Sequence, residues 1–433
     1  MRSIWTENIE RPSFGALDGD KKTDVLIIGG GMAGLLCGYM LKQAGVDCLI
    51  CEADRICGGI TENTTAKLTF QHGLIYDELI CKFGHERAKM YLDAQTAALE
   101  EYRGLCEGID CDFQSSDSYV YSLEDAMLVE REVEALMALG CKSELVKDTE
   151  LPFKVAGAVK IEAQAQFHPL KFAFEVSRGL PIYENTKVIE LRDGRAVTNR
   201  GEISAENIIV CTHFPFINKH GSYFLKLYQH RSYVLALEGA QTVKGMYVDA
   251  DNKGLSFRSY NGMLLLGGGG HRTGKKGGGW QELSDFAARH YKDSRSVAKW
   301  ATQDCMSLDS VPYIGRYSKK THNLYVATGF NKWGMTSSMV SAMILSDMLC
   351  GRENGFAEVF SPSRSILRGQ LALNAFESAV GLLTPTAPRC PHLGCALKYN
   401  SQEHSWDCPC HGSRFGEDGE LINNPATDDT SFK

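Results

Sequence analysis

Four residues near the end of the chain have the types and spacing of a metal-ligand set. They are Cys390 and His392, in Cys-Pro-His, and Cys408 and His411, in Cys-Pro-Cys-His; fifteen residues separate His392 from Cys408. Two thiolates on one iron and two neutral imidazoles on the other make a mixed-ligand [2Fe–2S] centre. Its reduction potential lies far above that of an all-cysteine cluster, at roughly −150 to +300 mV. The same four side chains would also suit a structural zinc ion, but zinc leaves Cys395 and Cys410 unexplained. On the first reading the chain moves single electrons.

A second chemistry-bearing motif stands near the start. Asp24-Val-Leu-Ile-Ile-Gly29 is a short apolar run of strand character, followed by Gly29-Gly-Gly31-Met-Ala-Gly34 and apolar residues at helical spacing up to Ala44. Val46–Glu52 reads as a second strand ending in an acid, so the glycines sit inside a β-α-β unit with Glu52 23 residues beyond Gly29. Gly29 allows the tight turn, Gly31 lets the backbone approach a pyrophosphate, and Gly34 lets helix and strand pack closely. The helix N-terminus offers free N–H groups to phosphates, and Glu52 can accept hydrogen bonds from the adenosine ribose. FAD and NAD share this fingerprint.

Elements elsewhere narrow the choice. Arg55-Ile-Cys-Gly-Gly59 follows the acid, and Thr64-Thr-Ala-Lys-Leu-Thr69 follows that. Ile208-Ile-Val-Cys-Thr-His213 reads as another strand. Leu324-Tyr-Val-Ala-Thr-Gly329 leads through Gly334, Met335 and Thr336 into a helix. Residues 20–352 resemble the flavoproteins of the D-amino-acid oxidase, glycine oxidase and sarcosine oxidase family. The resemblance implies FAD, held by Gly29, Gly31, Gly34, Glu52 and Arg55, with Gly329, Gly334, Met335 and Thr336 bringing a helix N-terminus to the ring and ribityl chain. The C-terminal ligand set resembles that of respiratory-chain Rieske proteins. That likeness implies a Cys395–Cys410 disulfide tying the ligand loops, with Gly412-Ser413 packed on the cluster.

The fold class expected is α/β: a Rossmann-like FAD-binding domain with an α+β substrate cap, plus a small, truncated Rieske domain. The flavoprotein part spans 1–352, with FAD-binding segments at about 20–75, 152–229 and 301–352. Cap segments lie at about 76–151 (helical) and 230–300, where alternation and Asn261-Gly262 suggest antiparallel strands. Residues 353–389 read as a linker with a helix start near Ser361, and 390–433 as the cluster domain. Full Rieske domains carry a series of strands before Cys-x-His, and none is visible here. So small a piece cannot bury a sufficient core, so it must dock on the flavoprotein. Gly267–Gly279, rich in glycine and lysine, reads as a mobile loop near the cap, with a phosphate cradle as the lesser alternative.

Catalytic residues are harder to read. The family oxidises a C–N bond next to a carboxylate, using Arg and Tyr to hold the carboxylate over the flavin. Arg258 and Tyr260 are the candidates, with His271 at the end of the next strand, His72 near or attached to the flavin, and Arg316 before the last flavin strand. The strand Gly262–Gly267 is apolar at Leu264, where sarcosine-oxidase-like enzymes carry an oxygen-activating lysine. The resemblance therefore implies a dehydrogenase acting on an amine or amino acid. Electrons would pass through FAD and the cluster to an external acceptor, protein or quinone-like. The rival readings are an oxygen-reducing amino-acid oxidase with a structural cluster, and a non-enzymatic electron-transfer or redox-sensing flavoprotein.

Composition fits this picture. The 433 residues carry a net charge of −7 with 43% hydrophobic content, which gives no basic surface for nucleic acid. No apolar run reaches the length of a membrane span, and Met1–Glu7 lacks the pattern of a secretory signal. Eleven of the fifteen cysteines are scattered through the first 350 residues. They read as buried thiols of a reducing cytoplasm rather than a disulfide framework.

Overall fold

Val25–Ile28 form the buried end of the strand Lys21–Ile28, which pairs in parallel with Cys48–Cys51 on one side and Glu202–Val210 on the other. A strand buried on both faces needs a continuous apolar run, and this one has it. The computed structural model describes residues 2–192, 194–218, 220–250, 254–385 and 388–431. The first sheet runs Tyr313–Arg316, Leu324–Thr328, Glu202–Val210, Lys21–Ile28, Cys48–Cys51, Ile182–Tyr183, with the antiparallel strands Val188–Arg192 and Arg195–Thr198 attached. Helices Met32–Gln43 and Gly334–Leu349 share one apolar core on it.

A second, nine-stranded sheet stands beyond the first. Its order begins Arg295–Ser307, Leu227–Glu238, Met263–Arg272, Ser256–Tyr260, Met246–Asp249 and continues through Gln114–Ser122 and Gly157–Gln166 to Lys67–Leu68. Helices Tyr76–Phe83, His85–Glu107 and Ala126–Ala138 lie in the stretch read as helical cap. Among the described residues no helix is long and apolar enough to cross a membrane.

The C-terminal module is a four-stranded antiparallel meander, Lys398–Asn400, Ser405–Asp407, Arg414–Phe415 and Leu421–Asn423. Its own core is only Cys390, Cys395, Leu397, Cys408, Cys410, Phe415 and Ala426. The described part of 353–389 holds two helices, Ala357–Phe360 and Gly369–Leu383, and no strand. Docking makes up for the small core. Arg231 of the second sheet pairs with Glu403, which also pairs with Arg414, and Arg414 in turn holds Asp407 at 3.0 Å; all four are at least nine-tenths buried.

The glycine stretch expected to be a loop is part of this dock. The strand Met263–Arg272 runs into it and the helix Gly279–His290 leaves it directly. A Cβ at Gly274 would lie 2.7 Å from Pro409 Cα, and one at Gly279 would lie 2.1 Å from Gln402 Oε1. Gln402 also accepts the Trp280 N–H at 3.0 Å. Gly274 serves close approach to the Pro409 backbone and Gly279 leaves room for the Gln402 side chain, uses that composition cannot distinguish from flexibility.

Candidate functional site: a cavity and a thiol–imidazole centre on two faces of one sheet

The glycine fingerprint forms one end of a cavity of about 1200 Å³. Gly29 has φ 109°, and a Cβ there would sit 2.7 Å from Cys211 O; a Cβ at Gly34 would lie 1.9 Å from Gly29 O. Both glycines are therefore steric necessities. Gly31 differs: its Cβ would make one ordinary contact, 3.5 Å to Thr61 Oγ1, and it faces the cavity. This open cradle at the start of the helix Met32–Gln43 is what a pyrophosphate requires. Glu52 Oε2 accepts the Gly30 N–H at 2.7 Å and Oε1 the Asp54 N–H at 3.0 Å, which fixes the carboxylate at the cavity edge. Burial raises its pKa.

Arg55 lines the cavity and is tied to Glu184 at 3.1 Å. Gly334 and Met335 line it too, at the N-terminus of the helix Gly334–Leu349. Gly329 (φ 73°) makes the preceding turn against Leu227, and Thr336 is buried behind, its Oγ1 3.1 Å from His72 Nε2. These residues fit a bound dinucleotide.

The expected catalytic residues fall in several places. His72 lines the cavity, but both ring nitrogens are engaged: Nδ1 with Tyr91 Oη at 2.7 Å, Nε2 with Thr69 O at 2.9 Å and Thr336. Burial pushes its pKa down to about 3, so the ring is neutral. Arg258 is fully buried behind the wall, with Nη1 donating to Thr65 O at 2.5 Å and Ala66 O at 2.8 Å. Tyr260 donates to Asp112 at 2.6 Å. His271 lies 3.0 Å from Tyr233 Oη, and Arg316 is exposed at a strand end. Of these five, only His72 contributes to the cavity surface. Leu264 is buried among Leu237, Leu266 and Phe257.

Other groups supply the wall: Lys67, His213, Tyr228, His230, Asp304 and Lys332. Lys67 has Thr65 Oγ1 at 3.3 Å, and burial followed by the neighbouring Arg258 lowers its pKa to about 7. Asp304 accepts from Ser232 at 2.9 Å, and burial raises its pKa. Lys67 and His213 fall inside quoted motifs, but nothing in local sequence gives any of these residues a role in the wall; they meet only when the two sheets close.

The ligand set assembles on the far face of the same sheet. Strand alternation sends Tyr228, His230 and Ser232 to the cavity and Gln229 and Arg231 the other way. Gln229 Nε2 donates to His411 O at 3.1 Å, and Gln303, from the neighbouring strand, donates to Gly412 O at 2.9 Å. A Cβ at Gly412 (φ 86°) would lie 2.5 Å from Gln229 Cβ. The second link is the segment Thr212–Phe214: His213 lines the cavity, and the next ring, Phe214, stands edge-on to His411 at 6.4 Å. Asn424 holds this segment by donating to Thr212 O and Phe214 O, at 2.6 and 2.7 Å.

Within the centre, the His392 and His411 rings lie 4.9 Å apart, and the Cys390 and Cys408 thiols touch. Cys395 and Cys410 form a disulfide beside them. Nδ1 of His392 and both ring nitrogens of His411 are buried with no polar partner. Buried imidazole nitrogens are seldom left so. Burial lowers the pKa of His392 to about 4 and of His411 to about 3, which keeps both in the neutral, metal-binding form. The Cys408 thiol brings Cys390 down to about 7. Two sulfurs and two free imidazole nitrogens fit a [2Fe–2S] cluster.

Fold and site together define a flavoprotein fused to an iron–sulfur module. Residues 24–348 match the family described as FAD dependent oxidoreductase, and residues 365–432 match the Rieske [2Fe-2S] domain. The chain belongs to the FAD dependent oxidoreductase family, with a C-terminal Rieske domain, and its cofactors are FAD and a [2Fe–2S] cluster. It is 34% identical to the "Putative Rieske 2Fe-2S iron-sulfur protein YhfW" of Bacillus subtilis (strain 168), over 98% of this chain and 96% of that one. Thirty-seven residues, 8% of the chain, are 46% identical to 21% of cytochrome b6-f complex iron-sulfur subunit 3 of Nostoc sp.. Glycine oxidase from Geobacillus kaustophilus has a similar fold (TM-score 0.66, 20% identity, 80% of this chain and all of that one). So has L-proline dehydrogenase from P. horikoshii (TM-score 0.67, 16% identity, 80% and 98%).

Proposed function

We propose that the chain is a dehydrogenase that oxidises the C–N bond of an amine or amino acid and passes the electrons through its cluster to an external acceptor, a protein or a quinone-like molecule. The observation that carries this reading is the shared wall. The strands Leu227–Glu238 and Arg295–Ser307 turn one face to the cavity and the other to the ligand set, across a sheet layer on the order of 10 Å thick, joined by Gln229, Gln303 and Thr212–Phe214. The module's Leu421 and Asn424 line the cavity as well. When bound, FAD supplies hydride acceptance from the donor carbon and the cluster supplies one-electron chemistry.

The chain's own residues would select the donor. Lys67 faces the cavity without a carboxylate partner, and Arg258 behind it has Nε and Nη2 buried and unpartnered. A buried arginine and a half-buried lysine without a counter-ion are costly to charge, and a donor carboxylate beside Lys67 would compensate them. The neutral His72, stacked on Trp333 at 4.9 Å, would shape the cavity beside it rather than take a proton. The free thiols among the described residues, buried Cys37, Cys51 and Cys57 among them, support a cytoplasmic location. The test is anaerobic mixing of the loaded protein with a panel of amines and amino acids: a donor that bleaches the flavin, and whose electrons then reduce a one-electron dye added afterwards, supports the reading. Rapid peroxide formation in air by the same donor would instead favour an oxidase.

A further inference from the structure

The two imidazoles of the cluster module stand in unlike surroundings. His411 is only 2% exposed, edge-on to Phe214 and Phe224 of the flavoprotein, at 6.4 and 6.2 Å. Its main-chain carbonyl receives the Gln229 N–H from the cavity wall. His392 lies at the rim, partly exposed between exposed Pro391 and Leu393. Its Nδ1 is buried and unpartnered, whereas its Nε2 lies 3.0 Å from Oδ1 of Asn218, an exposed residue of the flavoprotein. An imidazole that gives Nδ1 to iron carries its proton on Nε2, so this N–H donates to Asn218. A second partner of that kind orients the ligand and tunes the metal.

We propose that His411 is the inward ligand, at which electrons arrive across the wall, and His392 the outward ligand, from which they leave, with Asn218 the positioning residue that holds His392 and sets the cluster potential. The inference rests on the reading of the cluster as a carrier. Asn218 continues the segment that bears His213 and Phe214, so one stretch of flavoprotein chain touches the cavity, the inward ligand and the outward ligand in turn. Each departure removes one electron from the reduced cluster and reduces one molecule of a one-electron acceptor at the rim. Two departures follow each donor oxidised, and the two protons of that oxidation go to solvent.

The test uses the full chain carrying both groups. In Asn218→Asp a carboxylate becomes the acceptor of the His392 N–H, adding negative charge to the ligand sphere. The cluster midpoint should fall by about 59 mV, a tenfold change in a one-electron equilibrium constant. Asn218→Leu should move it the other way, with iron content unchanged in both. Reoxidation of the dithionite-reduced protein by ferricyanide, an anion, should slow in Asn218→Asp and quicken in Asn218→Lys, the difference shrinking with salt. The same charge placed at exposed Ser401 of the module, as Ser401→Asp, should not slow it. Unshifted potentials and cluster spectra in the Asn218 variants, or equal slowing by Ser401→Asp, would overturn the proposal. Flash photoreduction of the flavin in the wild type separates this outcome from the parent reading. If those electrons never reach the cluster, the carrier role and the inward assignment of His411 fail together, even where Asn218→Asp still moves the potential.

Discussion

Gly31 and Lys67 show how single residues divide the work of the cavity. Gly31 leaves its space open where the neighbouring glycines are filled by backbone. In Gly31→Val a branched side chain enters that space, and FAD per chain, read from absorbance after gel filtration, should collapse while the fold persists. Lys67 titrates near pH 7 in the free protein. Carboxylate binding favours its charged form, so affinity for a carboxylate-bearing donor should be highest below pH 7 and fall as pH rises through it. Lys67→Gln should weaken binding of such donors about tenfold, or 1.4 kcal/mol, and flatten that pH dependence. A pH-independent KM in the parent would contradict the assignment. The glycines, Glu52 and the four cluster ligands were legible in sequence because their chemistry fixes type and spacing together. Lys67 was not: its importance comes from burial and from Arg258, 191 positions away in sequence. Nor does alternation in Ser256–Tyr260 say which face meets the cavity, and the Arg258 and Tyr260 side chains end at Thr65, Ala66 and Asp112.

At the scale of elements, the strands Leu227–Glu238 and Arg295–Ser307 serve two centres through the pleat. Gly412→Ala should disturb this wall from the cluster side, since its Cβ would meet Gln229 Cβ at 2.5 Å. Overpacking of this kind costs about 1–3 kcal/mol, read as a lower melting temperature and faster loss of iron. Four histidines outside the cluster, His72 and His168 buried and His213 and His230 half-buried on the cavity wall, give a second expectation. Burial lowers the pKa of His72 and His230 to about 3, and of His168 and His213 to about 4. The unfolded chain's histidines take up protons near pH 6.5 and these four do not in the folded chain, so their contribution to stability should be level above 6.5 and fall as pH drops toward 4. His168→Gln should shrink that loss in thermal melts across the range. Alternating strands in 230–270 were readable from sequence. The seating of a distant module on their outer face was not, because Gln229 and Gln303 look like ordinary sheet polar residues until His411 and Gly412 meet them.

At the scale of the molecule, the cluster module depends on the flavoprotein. Removing the charge of Glu403 by Glu403→Gln leaves Arg231 and Arg414 buried without their shared anion, a change that costs about 3–5 kcal/mol for a broken buried pair. Faster proteolysis of the C-terminal segment would report it. Residues 365–433 expressed alone should fail to hold iron, since among the described residues their apolar cluster is seven buried side chains with Trp406 and Leu421 packed against them. The need for docking followed from the size of the module, but its partner surface did not. The glycine stretch that receives it has the composition of a free loop, and only Pro409 and Gln402 pressed against Gly274 and Gly279 reveal its use.

The central claim is that electrons taken from a donor in the cavity cross one sheet to the cluster. The direct measurement is anaerobic rapid mixing with a reducing donor, the flavin followed by absorbance and the cluster by electron spin resonance of frozen samples. The account predicts flavin bleaching first, then a low-average-g signal of a His/Cys-ligated [2Fe–2S] centre, and its loss when ferricyanide is added. A flavin fully reduced beside a cluster that stays oxidised and silent would contradict it.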